Sequence, residues 1–205
     1  MPFVVGIDPG LSGAITAIWD EGNDLGMSIT DMPTYNVPVG KKTRHRVDTV
    51  SLLQLFETFK VMGCELAVME AVGGRPKQSA SGAFTFGWST CAVYMACITN
   101  RIPVETVASQ TWKQLLKVPG KARRKKGEEP SDKHSSKDTD QAIIRRADEI
   151  LPQHARRWRN ERGTLKVDRA ESAMIAYYGL VYGIRNLRPD AEWRLTYKKA
   201  EAGLQ

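Results

Sequence analysis

The sequence predicts an α/β fold: a mixed five-stranded sheet, built from a three-strand antiparallel meander plus parallel strands, with helices on both faces. Three observations predict it. The chain opens with β-branched apolar runs joined by short turns. Beyond residue 47, strand-length apolar runs alternate with segments of helical period. Hydrophobic residues make up 41% of the 205 positions and charged ones 26%, which suits one buried core rather than a disordered chain. Residues 1–187 are expected to form a single domain with a basic loop at about 118–137, and residues 188–205 a polar tail.

Phe3 to Asp8 (FVVGID) is a strand that enters a tight turn at Pro9-Gly10. Ser12 to Trp19 and Leu25 to Met32 are the next two, separated by Glu21-Gly22-Asn23-Asp24. Tyr35 to Arg46 carries Pro38 and Gly40 and reads as a loop. Val47 to Met62 recurs with helical period, Asp48 can cap its start, and Gly63 ends it. Cys64 to Ala71 is an apolar run fit for a buried strand, with Glu70 near its far end. Small and apolar residues from Ser79 to Thr99 suit a helix packed closely on another backbone. Ile102 to Val107 is the fifth strand, and Ser109 can cap a helix over Gln110 to Lys117. Asp138 to Leu151 is again helical, Pro152 to Lys166 irregular, and Asp168 opens a last helix running to about Arg185.

Net charge is +7, and its placement is informative. Lys117 to Arg159 holds 13 Lys/Arg against 7 Asp/Glu, and the short stretch Gly40 to Arg46 adds four cations with no acid. The rest of the chain is slightly acidic. Two basic segments on an acidic body form the footprint expected for a polyanion, nucleic acid first among them. Three cysteines without CxxC spacing exclude a disulfide scaffold or a four-cysteine zinc site and suggest a reducing, cytoplasmic setting. The opening lacks a secretory signal pattern, and no apolar stretch is long enough for a membrane span. HExxH, GxSxG, P-loop and GxGxxG motifs are all missing. His45, His134 and His154 lie in charged or loop settings and read as solvated.

Four acids interrupt apolar contexts. Asp8 ends the first strand and Glu70 the fourth, while Asp168 and Glu171 share one face at the start of the last helix. If the first strand is central and the fourth runs parallel beside it, Asp8 and Glu70 emerge at one edge. The last helix need only lay its first turn there to assemble four carboxylates. Such crowding calls for cations, and hard oxygen donors point to Mg²⁺ or Mn²⁺. Two such ions form the clamp used in phosphoryl displacement. Each acid has a structural reading as well: Asp8 as a turn former, Glu70 as a strand-end acceptor, and Asp168-x-x-Glu171 as a capping box.

Gly6-Ile7-Asp8-Pro9-Gly10 with Ser12-Gly13-Ala14 resembles the opening of RuvC-type Holliday junction resolvases, in the RNase H-like superfamily. Val68-Met69-Glu70, the small-residue helix after it, and Asp168-x-x-Glu171 followed by Ala173 and Ala176 are similar to the family's other acidic motifs, over roughly Phe3 to Gly183. The resemblance implies an RNase H-like sheet and a Mg²⁺-dependent homodimer that cuts four-way DNA junctions with paired symmetric nicks. It implies metal-binding and catalytic roles for Asp8 bridging both ions, for Glu70 on one, and for Asp168 with Glu171 on the other. Lys113 and Lys117 match the family's basic residues near the scissile phosphate. Further DNA contacts are expected from Lys121, Arg123, Arg124, Lys125 and Lys126 and from Lys41, Lys42 and Arg44.

Departures from the family pattern are visible too. Glu171 stands where many members have Asp, both basic segments are additions, and no bulky aromatic follows the Glu-bearing strand to wedge bases apart. Phe84 or Phe86 could substitute, or pack in the core or a dimer interface. The helix at residues 79–98 is apolar all round, so one face could pack on the sheet and the other on a symmetry mate. Two other readings stand beside the resolvase: an RNase H-like nuclease acting on other branched DNA or RNA–DNA hybrids, and a non-catalytic junction-binding protein.

Overall fold

The computed structural model describes residues 3–22, 24–40, 42–74, 78–119, 136–160 and 162–184. Three antiparallel strands, β1 (Phe3–Ile7), β2 (Ala14–Asp20) and β3 (Leu25–Asp31), form the predicted meander. Two parallel strands, β6 (Leu66–Ala71) and β7 (Val104–Ala108), extend it on the other side of β1. The sheet order is β3-β2-β1-β6-β7, so β1 is central. This is the mixed five-stranded sheet expected from the sequence.

β1 faces both sides of the sheet, and its alternation separates two cores. Phe3, Val5 and Ile7 point to one cluster with Leu52 and Phe56 of α1 (Thr49–Val61) and Val93 and Cys97 of α2 (Ala80–Thr99). Val4 points to the other, with Ile143 of α4 (Ser136–Ile150) and Ala173 and Ile175 of α5 (Val167–Tyr178). Trp112 of the short α3 (Ser109–Leu115) is fully buried in that second cluster. Helices therefore cover both faces.

Gly6 lies on the α5 side of β1, and its missing side chain sets how close that helix comes. A Cβ there would stand less than 3.0 Å from backbone atoms of Ser172 and Ala176. Backbone thus packs on backbone, and Thr16 of β2 and Ser172 of α5 join their hydroxyls at 2.7 Å in the buried seam.

Several expectations are corrected. Tyr35 to Arg46 is not a loop but most of a β-hairpin, β4 (Thr34–Val39) and β5 (Lys42–Val47), turning at Gly40 with φ +61°. Both strands are largely exposed, so no buried face wrote an alternation into the sequence. Ser109 lies within α3, whose cap position is Ala108. Asp168 is likewise inside its helix, because Lys166 takes the cap position and no side chain caps that end. The last helix is regular only to Tyr178 and then widens into a π-helical turn over Gly179–Gly183. His154 is buried, with Nε2 2.6 Å from the Leu25 carbonyl, because the irregular segment folds back on β3. Asp48 caps α1 as expected, accepting from the amides of Val50 and Ser51. The expected tail at 188–205 lies outside the described residues.

Candidate active site

Parallel pairing of β1 with β6 aligns Ile7 with Met69, which places Asp8 and Glu70 side by side at the carboxyl edge of the sheet. That edge is where open α/β sheets place their sites. The turn after β1 is fixed from three directions. The Asp8 amide donates to Ala14 O, the Gly13 amide to Gly10 O, and the Ser89 hydroxyl of α2 to Pro9 O at 2.6 Å. Gly13 is required here, because a Cβ would run into the carbonyl of Asp8.

The close seat of α5 on Gly6 brings its first turn over this edge. Carboxylate oxygens of Asp8, Asp168 and Glu171 then lie within 4.8 Å of one another. Glu70 is outside that trio, although its charge is felt by both Asp8 and Glu171. A second clamp holds the helix in place: Arg169 grips Asp31 at the end of β3 through two bonds, of 2.6 and 2.7 Å.

The electrostatics are those of acids held together without neutralisation. Burial, followed by the charges of Glu171 and Asp168, pushes the Asp8 carboxyl up to about 7. Burial also raises Asp168, which accepts a hydrogen bond from Asp8 and is partly relieved by its backbone and Lys166. Burial raises Glu171 as well, opposed by Lys113, whose Nζ stands 3.0 Å from Oε1. The capping-box reading of Asp168 and Glu171 falls, since neither bonds the helix end. All donors are hard carboxylate oxygens, and the repulsion among them is relieved by a divalent cation. The residues fit a Mg²⁺- or Mn²⁺-type ion.

Of the basic residues predicted to meet DNA, Lys113 is at the site but pairs with Glu171 and lies 4.8 Å from the centre of the Trp112 ring. Lys117 is exposed just beyond α3, in left-handed backbone at φ +54°. Arg44 is on the outer hairpin strand and donates to Ser81 Oγ at 3.2 Å. Lys42 is on the same strand. Lys41, Lys121, Arg123, Arg124, Lys125 and Lys126 lie outside the described residues. Sequence reasoning missed Arg169, Thr16, Ser172 and Ser89, which position the acids. A buried hydroxyl at an apolar period is a faint signal for Thr16 and Ser172, and nothing local marks the Arg169–Asp31 pair.

An acidic cluster at the carboxyl edge of a three-plus-two mixed sheet, closed by a helix across β1, defines the RNase H-like class of α/β fold. Within that class the chain has the RuvC fold. It is similar to Thermus thermophilus RuvC in complex with a Holliday junction substrate, with a TM-score of 0.56 and 15% identity over 91% of this chain and 97% of that one. A second T. thermophilus RuvC structure gives a TM-score of 0.51 and 16% identity over 88% and 96%. No protein-family model matches the sequence, and a search of curated proteins finds no match.

Proposed function

We propose that this chain is a structure-selective DNA endonuclease that resolves four-way junctions by divalent-metal-dependent hydrolysis of phosphodiesters. The observation that carries this reading is the trio Asp8, Asp168 and Glu171, drawn together at the strand edge of a RuvC fold. A protein that only bound DNA would gain nothing from crowded negative charge beside its ligand. That weighs against a non-catalytic junction binder.

Asp8, Asp168 and Glu171 would hold the metal, with Glu70 completing the set from the neighbouring strand. Two Mg²⁺ ions bound there supply Lewis acidity and an activated water for in-line displacement, and Mn²⁺ is an acceptable substitute. The chain's own contribution is positional. Ser89, Gly13 and the turn amides hold Asp8 rigid, and Arg169 and Ser172 hold the helix that carries the other two acids. Lys113 restrains Glu171 in its ionised form and is placed to pass its charge to an incoming phosphate. Lys117, the hairpin cations and the basic segment Lys121–Lys126 would hold the flanking backbone.

Paired, symmetric nicks need two sites related by a two-fold, so the working unit in this reading is a homodimer. On α2, Met95 and Ile98 are exposed and Tyr94 beside them is 42% exposed, an apolar surface available to a symmetry mate.

A synthetic four-way junction, a linear duplex and an RNA–DNA hybrid, each with and without Mg²⁺, test the proposal. The expected result is Mg²⁺-dependent cutting of the junction alone. Asp8→Asn should abolish cutting by at least about 10³-fold while binding is kept or tightened. Cutting by Asp8→Asn at the wild-type rate would sink the metal-site assignment, and preferential cutting of the hybrid would move the substrate to RNA–DNA.

A further inference from the structure

The β4–β5 hairpin is held against α2 by the Arg44–Ser81 bond, and between them runs a groove of about 350 Å³, large enough for a nucleotide-sized ligand. One wall carries Arg44 and Arg46, and the other carries Phe84 and Trp88. Leu11 lines it too, three residues beyond Asp8, so the groove opens beside the turn that carries the first candidate metal ligand.

Its chemistry is unusual for a surface. Thr34–Val47 contains no acid, and neither arginine meets a carboxylate among the described residues. The nearest acids in sequence are committed elsewhere, Asp31 to Arg169 and Asp48 to the start of α1. Phe84 and Trp88 are 71% and 54% exposed, with ring centroids 6.5 Å apart and a tilt of 32°. Isolated exposed rings are ordinary, but a ring pair facing unneutralised guanidinium groups across a groove is complementary to one ligand class. That class has a flat π-face and a phosphodiester charge.

We infer that this groove holds a single-stranded stretch of nucleic acid, with an unstacked base on Phe84 and Trp88 and its backbone phosphates on Arg44 and Arg46. The inference rests on the nuclease reading and adds a substrate feature to it: the DNA presented to the acidic site has at least one base out of the stack. The hairpin grips the strand, and the rings accept the base that a branch point exposes.

Binding of a fluorescently labelled short oligothymidylate to the full chain, in EDTA so that no cutting intervenes, tests this without requiring junction selectivity or catalysis. Phe84→Ala and Trp88→Ala should each weaken binding about tenfold, with Trp88→Phe restoring most of it. Binding of a blunt duplex should be unchanged by either ring. Arg46→Ala should flatten the salt dependence by roughly 0.7 in slope. Unchanged oligothymidylate affinity in both ring variants overturns the inference. So does a shift of those variants to a lower oligomeric state by sedimentation, which would assign the rings to a subunit interface. If oligothymidylate binds through the rings but the junction is left intact with Mg²⁺, the nuclease reading fails and the groove stands.

Discussion

At the scale of single residues, Asp8 concentrates the chemistry. Its native carboxyl sits at about 7, against an ordinary value of 3.8, so between those values the folded chain holds a proton that the unfolded chain has released. Stability of the metal-free protein is therefore fully present below about pH 4 and declines as the pH rises through 7. Metal-free protein should melt at a lower Tm at pH 8 than at pH 5.5, and Mg²⁺ should raise Tm more at pH 8. Asp8→Asn should remove most of both differences. Thermal scans at the two pH values with EDTA or Mg²⁺ measure this directly, and a wild-type Tm that does not respond to Mg²⁺ at pH 8 would contradict it. Lys113 and Glu171 show why motif residues are not interchangeable with their roles. The lysine expected on DNA is instead the counter-charge of a candidate ligand.

At the scale of elements, the site is a consequence of how α5 lies on β1. Gly6 permits the contact, Thr16 and Ser172 satisfy each other within it, and Arg169 with Asp31 sets the helix's entry. Gly6→Ala must push backbone away from backbone. We expect a loss of about 3 kcal/mol or more in urea unfolding, with Mg²⁺ affinity falling in whatever fraction folds. A Gly6→Ala protein as stable as wild type would mean that the helix is free to shift. The hairpin is the opposite case. Little of it is buried, and its position depends on one polar bond to Ser81 and on Val47 beneath it. Sequence periodicity cannot see an element of that kind, because periodicity records burial.

At the scale of the whole molecule, the net charge of +7 resolves into a body that carries clustered acids and two basic additions, one of them the hairpin. Neutralising Arg123, Arg124, Lys125 and Lys126 together should weaken junction binding and reduce the slope of log affinity against log salt by about 3 to 4. An unchanged slope would remove that segment from the interface. Two-fold pairing through α2 predicts that Met95→Glu gives a monomer by sedimentation that still binds Mg²⁺ but no longer makes paired nicks. A Met95→Glu protein that remains a dimer would move the interface elsewhere. No helix among the described residues is long and apolar enough to cross a membrane.

The strands of the sheet, the two-sided helix cover and the four acids were legible in the amino-acid order. Each leaves a local trace, in apolar periodicity or in a carboxylate set into an apolar run. The grouping of those acids was not. The sequence allows Asp168 and Glu171 to be a capping box, and only the seating of α5 on Gly6 turns them toward Asp8. The same holds for Arg169 with Asp31 and for the groove between hairpin and α2, whose partners are far apart in the chain. Local order encodes what a segment buries. Which buried or charged groups then meet depends on chain crossings, and those exist only once the sheet and its helices have packed.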